Sequence, residues 1–260
     1  MKKLSIKEYF DEEKINFKFG FIFFNLGIFF LASAPFISII FIFTSIFISL
    51  IAKENYFQKN VLNILFISSF SIILINTFIN YFASPLLISE YNRTSNFIGL
   101  FNWLPFFICF FLIQPYLKSI KYRNLSSLLF LSGTLPVIIT GIGQYFFGWE
   151  NQISFLNGNI IWFLKPINEL RGLSGLFNNP NYAGSWLSMI WPLSLSFFIQ
   201  ERCFNFKKTI SLLFLTTISL CMILTKSKDT ILTLLIPLPF LLKLNFLKFL
   251  ILFILPSIIF

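Results

Sequence analysis

The sequence predicts an all-α, polytopic helical membrane protein with about nine transmembrane helices. Its N-terminus is cytoplasmic, and one long external loop precedes the sixth helix. Three observations carry this expectation. Of 260 residues, 57% are hydrophobic and 12% charged, against roughly 25% charged in soluble domains. Apolar stretches of a length that can cross a bilayer recur along the whole chain. Finally, the basic residues fall unevenly between alternate connections, as the positive-inside rule requires.

The elements follow in order. Residues 1–18 mix five lysines with four acids. They lack the short apolar core and cleavage site of a signal peptide, and read as a cytoplasmic interfacial segment. Residues 19–52 carry no charge. At 1.5 Å per residue that run is too long for one helix across a core of about 30 Å. Ala34-Pro35 is the natural break, giving helices near 19–33 and 36–52. A third helix is expected near 61–79 and a fourth near 100–117, with Trp103 as an interfacial anchor. The fifth covers about 127–146, kinked at Pro136. The sixth covers 180–199 and the seventh 209–225; an eighth near 230–242 is broken by Pro237 and Pro239, and a ninth starts near 249. The apolar run is still in progress at Phe260, which predicts a membrane domain over 19–260 truncated at its C-terminus.

With the N-terminus inside, the cytoplasmic segments hold five basic residues in 1–18, then Lys53 and Lys59, then Lys118, Lys121 and Arg123. Arg202, Lys207 and Lys208, and then Lys243 and Lys248, complete fifteen. The external segments hold five: Arg93, Lys165, Arg171, Lys226 and Lys228. This split places the long loop at about 147–179 outside, on the same face as the turn that carries Lys226 and Lys228. Within that loop, the apolar run Asn159–Leu164 suggests a piece lying in the membrane interface.

Composition also excludes. The net charge of +10 is scattered between apolar spans rather than gathered on a face, so no nucleic-acid partner is expected. The chain has no histidine, which removes histidine acid–base chemistry and histidine-ligated metals. Cys109, Cys203 and Cys221 have no metal or redox spacing and are expected as free thiols. No metal and no cofactor are called for. The 39 phenylalanines read as lipid-facing filler, not as an aromatic cage.

Arg171–Gly184, RGLSGLFNNPNYAG, is the most informative stretch. Asn179-Pro180 is a helix start: asparagine caps the free amides, and proline at the first position lacks the N–H that would go unpaired. Helix starts carry partial positive charge and exposed donors, which suits an anion. Arg171, Lys226 and Lys228 add cations on that membrane face, with Asn179, Asn181 and Ser227 beside them. Such a cluster fits a diphosphate at headgroup level. The plainer alternative is a polar loop entering a helix, its lysines anchored to anionic headgroups.

The stretch resembles the R-x-x-G-x-F-x-N-P-N signature of the O-antigen ligase and O-antigen polymerase superfamily of bacterial envelope proteins. Leu224-Thr225-Lys226-Ser227-Lys228 is similar to that family's L-T-x-S-R segment, and Gly141-Ile142-Gly143-Gln144 also resembles the family. The resemblance covers about residues 60–245. It implies a metal-independent inverting glycosyltransferase in the bacterial inner membrane, which moves glycan from a polyprenyl-diphosphate carrier to a glycan or lipid-linked acceptor at the external face. It further implies catalytic roles for Arg171 and Lys228 on the donor diphosphate, and substrate binding by Asn179, Asn181, Lys226 and Ser227. Lys228 stands where the family has arginine, and the loop that supplies the ligases with a histidine would lie beyond residue 260. Membrane lipids and other polysaccharide-assembly proteins are the remaining expected partners.

Two other classes stand beside this one. A transporter is suggested because some members of the superfamily are described as bicarbonate transporters. Against it, no Asp, Glu, Lys or Arg falls inside an expected span, where ion-coupled transporters carry them. A non-catalytic truncated remnant is the other.

Overall fold

The computed structural model describes residues 15–51, 61–83, 90–167, 172–200 and 205–235. It is 81% helical. Nine α-helices lie among the described residues: α1 Ile15–Phe30, α2 Pro35–Ile51, α3 Val61–Ala83, α4 Glu90–Ile113, α5 Ile120–Gly133, α6 Leu135–Phe147, α7 Pro180–Gln200, α8 Phe206–Leu224 and α9 Lys228–Leu235. Between α6 and α7 run two short strands, β1 Asn151–Phe155 and β2 Ile160–Leu164.

Four segments are long and apolar enough to cross a membrane: Val61–Phe82, Phe97–Leu117, Ile120–Phe147 and Phe206–Leu224. The apolar stretches Phe17–Phe30 and Pro35–Ile51 are shorter. Although α7 is 21 residues long, it is not among the four. Its first turn is polar, and Ser185, Ser188, Ser194 and Ser196 dilute the rest. The helices leave large apolar side chains exposed around most of their circumference, as on Val61, Leu62, Ile64 and Leu65 of α3. A helix hydrophobic on every side belongs in an apolar surround.

Boundaries depart from the sequence expectation in instructive ways. The break at Ala34-Pro35 is present, with α2 starting on Pro35. The expected fifth helix is one membrane-length segment, Ile120–Phe147, broken into α5 and α6 just ahead of Pro136. It begins at Ile120 rather than 127 and is interrupted at Thr134, with Pro136 in the first turn of α6. Proline tolerates a first turn because its missing N–H has no partner there anyway, and the break falls just ahead of it, at Thr134. The fourth helix starts earlier than expected, at Glu90, and ends in a 3-10 turn over Gln114–Leu117 that Pro115 opens. Strand β2 takes up most of the apolar run 159–164, in a hairpin absent from the sequence expectation. The expected cytoplasmic segment 1–18 lies mostly outside the described residues, as do the ninth helix and the end of the eighth.

The chain divides into two compact units: Met1–Gly27 with Ile40–Ser126, and Ile28–Ile39 with Ser127–Phe260. In the first, Phe17, Phe21 and Phe24 sit on one face of α1 at i, i+4, i+7 spacing and pack on Tyr116 and Tyr122. The Tyr116 hydroxyl donates to the Ser45 carbonyl at 2.8 Å. Ring stacking of Phe66 on Phe110, with centroids 3.9 Å apart, joins α3 to α4. Close by in the chain, Asn63 and Gln114 exchange amide hydrogen bonds at 2.8 and 3.3 Å. Buried polar groups need such partners, and far from water only other protein groups can supply them.

In the second unit, α7 and α8 are the most extensively packed pair of helices. Val137, Leu187, Ile190, Ile218, Cys221 and Met222 form its dry centre. Two tryptophans satisfy their ring N–H groups inside it: Trp186 donates to Thr134 Oγ1 at 3.2 Å and Trp191 to Ser219 Oγ at 2.8 Å. The hairpin is tied to the same unit through Trp162, whose N–H donates to the Ser33 carbonyl at 2.8 Å.

Candidate functional site

All the sequence-selected residues belong to the second unit, and the described ones collect at one end of it. Asn179 does what its position predicts. Its Oδ1 accepts from the Asn181 N–H at 2.8 Å, and its carbonyl accepts from Tyr182 and Ala183, so it caps α7 ahead of Pro180. Asn181 is exposed on the first turn.

The segment just before this cap is pinned to the end of α8. Leu173 N–H donates to the Leu224 carbonyl at 2.9 Å. A Cβ on Gly172 would collide with the Thr225 carbonyl oxygen, so only glycine permits this approach. Stretches some fifty positions apart in sequence thus meet backbone to backbone. On the α6 side, a Cβ on Gly141 would come within 2.8 Å of the Leu173 side chain. Gly175, in the left-handed region at φ +55°, packs against the Val137 carbonyl.

After α8 the chain turns sharply into α9. Thr225 Oγ1 donates to the Met222 carbonyl at 2.7 Å and accepts from the Ser227 N–H at 3.3 Å. Lys226 sits at the apex with φ +55°, a conformation that costs a non-glycine residue free energy. Its side chain is exposed, whereas Ser227 is 95% buried, with 5% of its surface accessible. Ser227 and Thr230 face Gly184 of α7, where a Cβ would strike the Thr230 hydroxyl. Lys228 and Asp229 are exposed on the first turn of α9. The carboxylate of Asp229 there complements the helix dipole.

Arg171 lies outside the described residues, as does Glu169. Of the other selected residues, Lys226, Lys228 and Asn181 present exposed side chains, Asn179 serves as a cap, and Ser227 is inward-facing packing. Among the described residues no group of three or more cysteines, aspartates or glutamates is close enough to hold a metal ion.

The residues that sequence reasoning underweighted are Gln144 and Ser174. Both are fully or nearly fully buried, and they hydrogen-bond each other. A lone glutamine inside an apolar helix was the available signal, because such a group needs a partner somewhere.

The architecture therefore defines a class: a predominantly helical chain with several helices able to span a membrane, and a polar knot at one end of its second unit. No family model, no curated protein and no solved structure matches this chain.

Proposed function

We propose that this chain is the membrane domain of a bacterial surface-polysaccharide polymerase or ligase in the inner membrane. It spans the membrane about nine times, with a cytoplasmic N-terminus, and transfers glycan from a polyprenyl-diphosphate carrier to an acceptor at the external face. The observation that carries this reading is the junction of Gly172 and Leu173 with Leu224 and Thr225. The motif that begins at Arg171 is brought at Gly172 and Leu173 beside the motif Leu224–Lys228, although most of α7 and all of α8 separate them in sequence. A second support is Lys226, which keeps a long cationic side chain in a backbone conformation that glycine would adopt at lower cost.

The reaction needs no metal. An acceptor hydroxyl oxygen bonds to the anomeric carbon on the face opposite the diphosphate. The carbon–oxygen bond to the diphosphate breaks, its electron pair stays on the diphosphate, and the acceptor proton passes to that released anion. Arg171 and Lys228 hold the diphosphate and offset its growing charge. Lys226, Asn179 and Asn181 shape the surface on which it rests, and Ser227 seats α9 beneath it.

The test is glycan transfer by the full-length protein in membranes, with expression measured in parallel. Arg171→Lys is expected to lower transfer roughly ten- to a hundredfold, the equivalent of about 1.5–3 kcal/mol for a charged two-point contact. Full transfer by Arg171→Ala overturns the proposal.

A further inference from the structure

One buried side chain in α6 holds the stretch that leads to the candidate site. Gln144 has 2% of its surface accessible. Its Oε1 accepts from the Ser174 N–H at 3.0 Å and from the Gly175 N–H at 2.9 Å. Its Nε2 donates to the Lys165 carbonyl at 2.6 Å and to Ser174 Oγ at 3.0 Å. A carboxamide offers two donor hydrogens and two acceptor lone pairs, so these four contacts engage all of it, and Ser174 Oγ also lies 3.4 Å from Oε1. No water is needed, and no capacity is left over. Lys165 directly follows β2 and Ser174 lies six residues before α7, so the amide joins the chain just after β2 to the stretch 172–175.

Neighbouring contacts belong to the same device. Leu173, against Gly141, carries the bond to Leu224, and Gly175 is seated on the Val137 carbonyl. Ser174 thus sits directly beside the residue whose N–H bonds the end of α8.

We propose that Gln144 is a positioning residue: its carboxamide fixes the register of residues 172–175 between α6 and the end of α8, and so sets how the stretch from Gly172 enters the site. The catalytic part of this inference rests on the glycosyltransferase reading; the clasp itself does not. A residue that merely fills space would tolerate methionine, which matches glutamine closely in length and volume. A clasp would not, because Met provides neither the donor nor the paired acceptor.

Hydrogen exchange on the purified full chain in detergent separates these roles. In Gln144→Met the Ser174 and Gly175 amides are expected to exchange at least about tenfold faster than in the parent, with α8 unchanged; about 1.4 kcal/mol corresponds to that factor. Gln144→Glu keeps an acceptor oxygen for both amides and, as a protonated carboxyl, an O–H donor for the Lys165 carbonyl, and is expected to remain within about threefold of the parent at both amides. If Gln144→Met does not accumulate, Gln144→Asn carries the same tenfold expectation, being one methylene too short to reach both stretches. Parent-like exchange in the Met or Asn variant overturns the clasp, and so does a Glu variant as fast as Met.

Transfer assays then test the consequence. Gln144→Met should lose at least tenfold in kcat, and Gln144→Glu should recover most of it. Lost protection with parent-like transfer overturns the positioning role. A parent without any transfer activity, together with intact clasp behaviour, overturns the glycosyltransferase reading instead.

Discussion

At the scale of single residues, the chemistry at position 228 is the most discriminating. Lys228 is a point charge on a flexible stem at an exposed first turn of α9. An arginine there would add a planar fork able to make two parallel bonds to a phosphate. If the cation touches a diphosphate, Lys228→Arg is expected to keep or raise donor use, whereas Lys228→Gln abolishes it. The defect of weaker substitutions should deepen with salt, since an exposed pair is screened within about 10 Å at 0.1 M. Donor-dependence curves at two ionic strengths check this. A Gln variant that matches the parent makes Lys228 a headgroup anchor only. Ser227, by contrast, is inward-facing against Gly184, so its contribution is to seat α9 rather than to meet a ligand with its side chain.

At the scale of elements, helix starts and stops explain the local order. Asn179 closes the open end of α7 through the Asn181 amide, and Asn205 does the same for α8 through the Lys208 amide at 3.0 Å. Replacing a capping asparagine with alanine costs about 1 kcal/mol. Asn179→Ala should therefore lower the detergent-solubilised Tm by a few degrees, while Asn178→Ala, at an exposed neighbouring position, leaves it unchanged. Equal effects of the two would mean that the cap contributes nothing. The hairpin is an element of a different kind. Its pairing runs from Asn151↔Leu164 to Phe155↔Ile160, and Trp162 ties it down through a single ring N–H. The sequence carries a mixed signal there, because β2 is a short apolar run that periodicity cannot assign to strand or helix.

At the scale of the whole molecule, orientation is a matter of charge. The basic residues distribute so that Lys207 is expected inside and Lys165 outside. In a background lacking Cys109, Cys203 and Cys221, a single cysteine at 165 should react with an impermeant thiol reagent in intact cells, and one at 207 only after permeabilisation. The reverse pattern would invert the topology and put Lys226 and Lys228 on the cytoplasmic side. Lys165 and Lys207 are both exposed at their positions, so access through the protein itself does not limit either probe.

The helical class, the break at Ala34-Pro35 and the cap at Asn179 were readable from sequence because each depends on neighbours within a turn or two: apolar run length, a missing N–H, a side chain that reaches its own backbone. The place of the break in the fifth expected helix, at Thr134 ahead of Pro136, was not, and beside it Gly133 lies against the Phe29 carbonyl, about a hundred positions away in the chain. The same limit applies at the candidate site. Sequence named Lys226, Lys228, Asn179 and Asn181 by residue type, and it marked Gln144 only as a polar insertion in an apolar helix. That Leu173 would bond Leu224, and that one buried amide would hold Lys165, Ser174 and Gly175 together, was decided by tertiary packing. Local rules state that a buried polar group must find a partner; only the fold determines which one it finds.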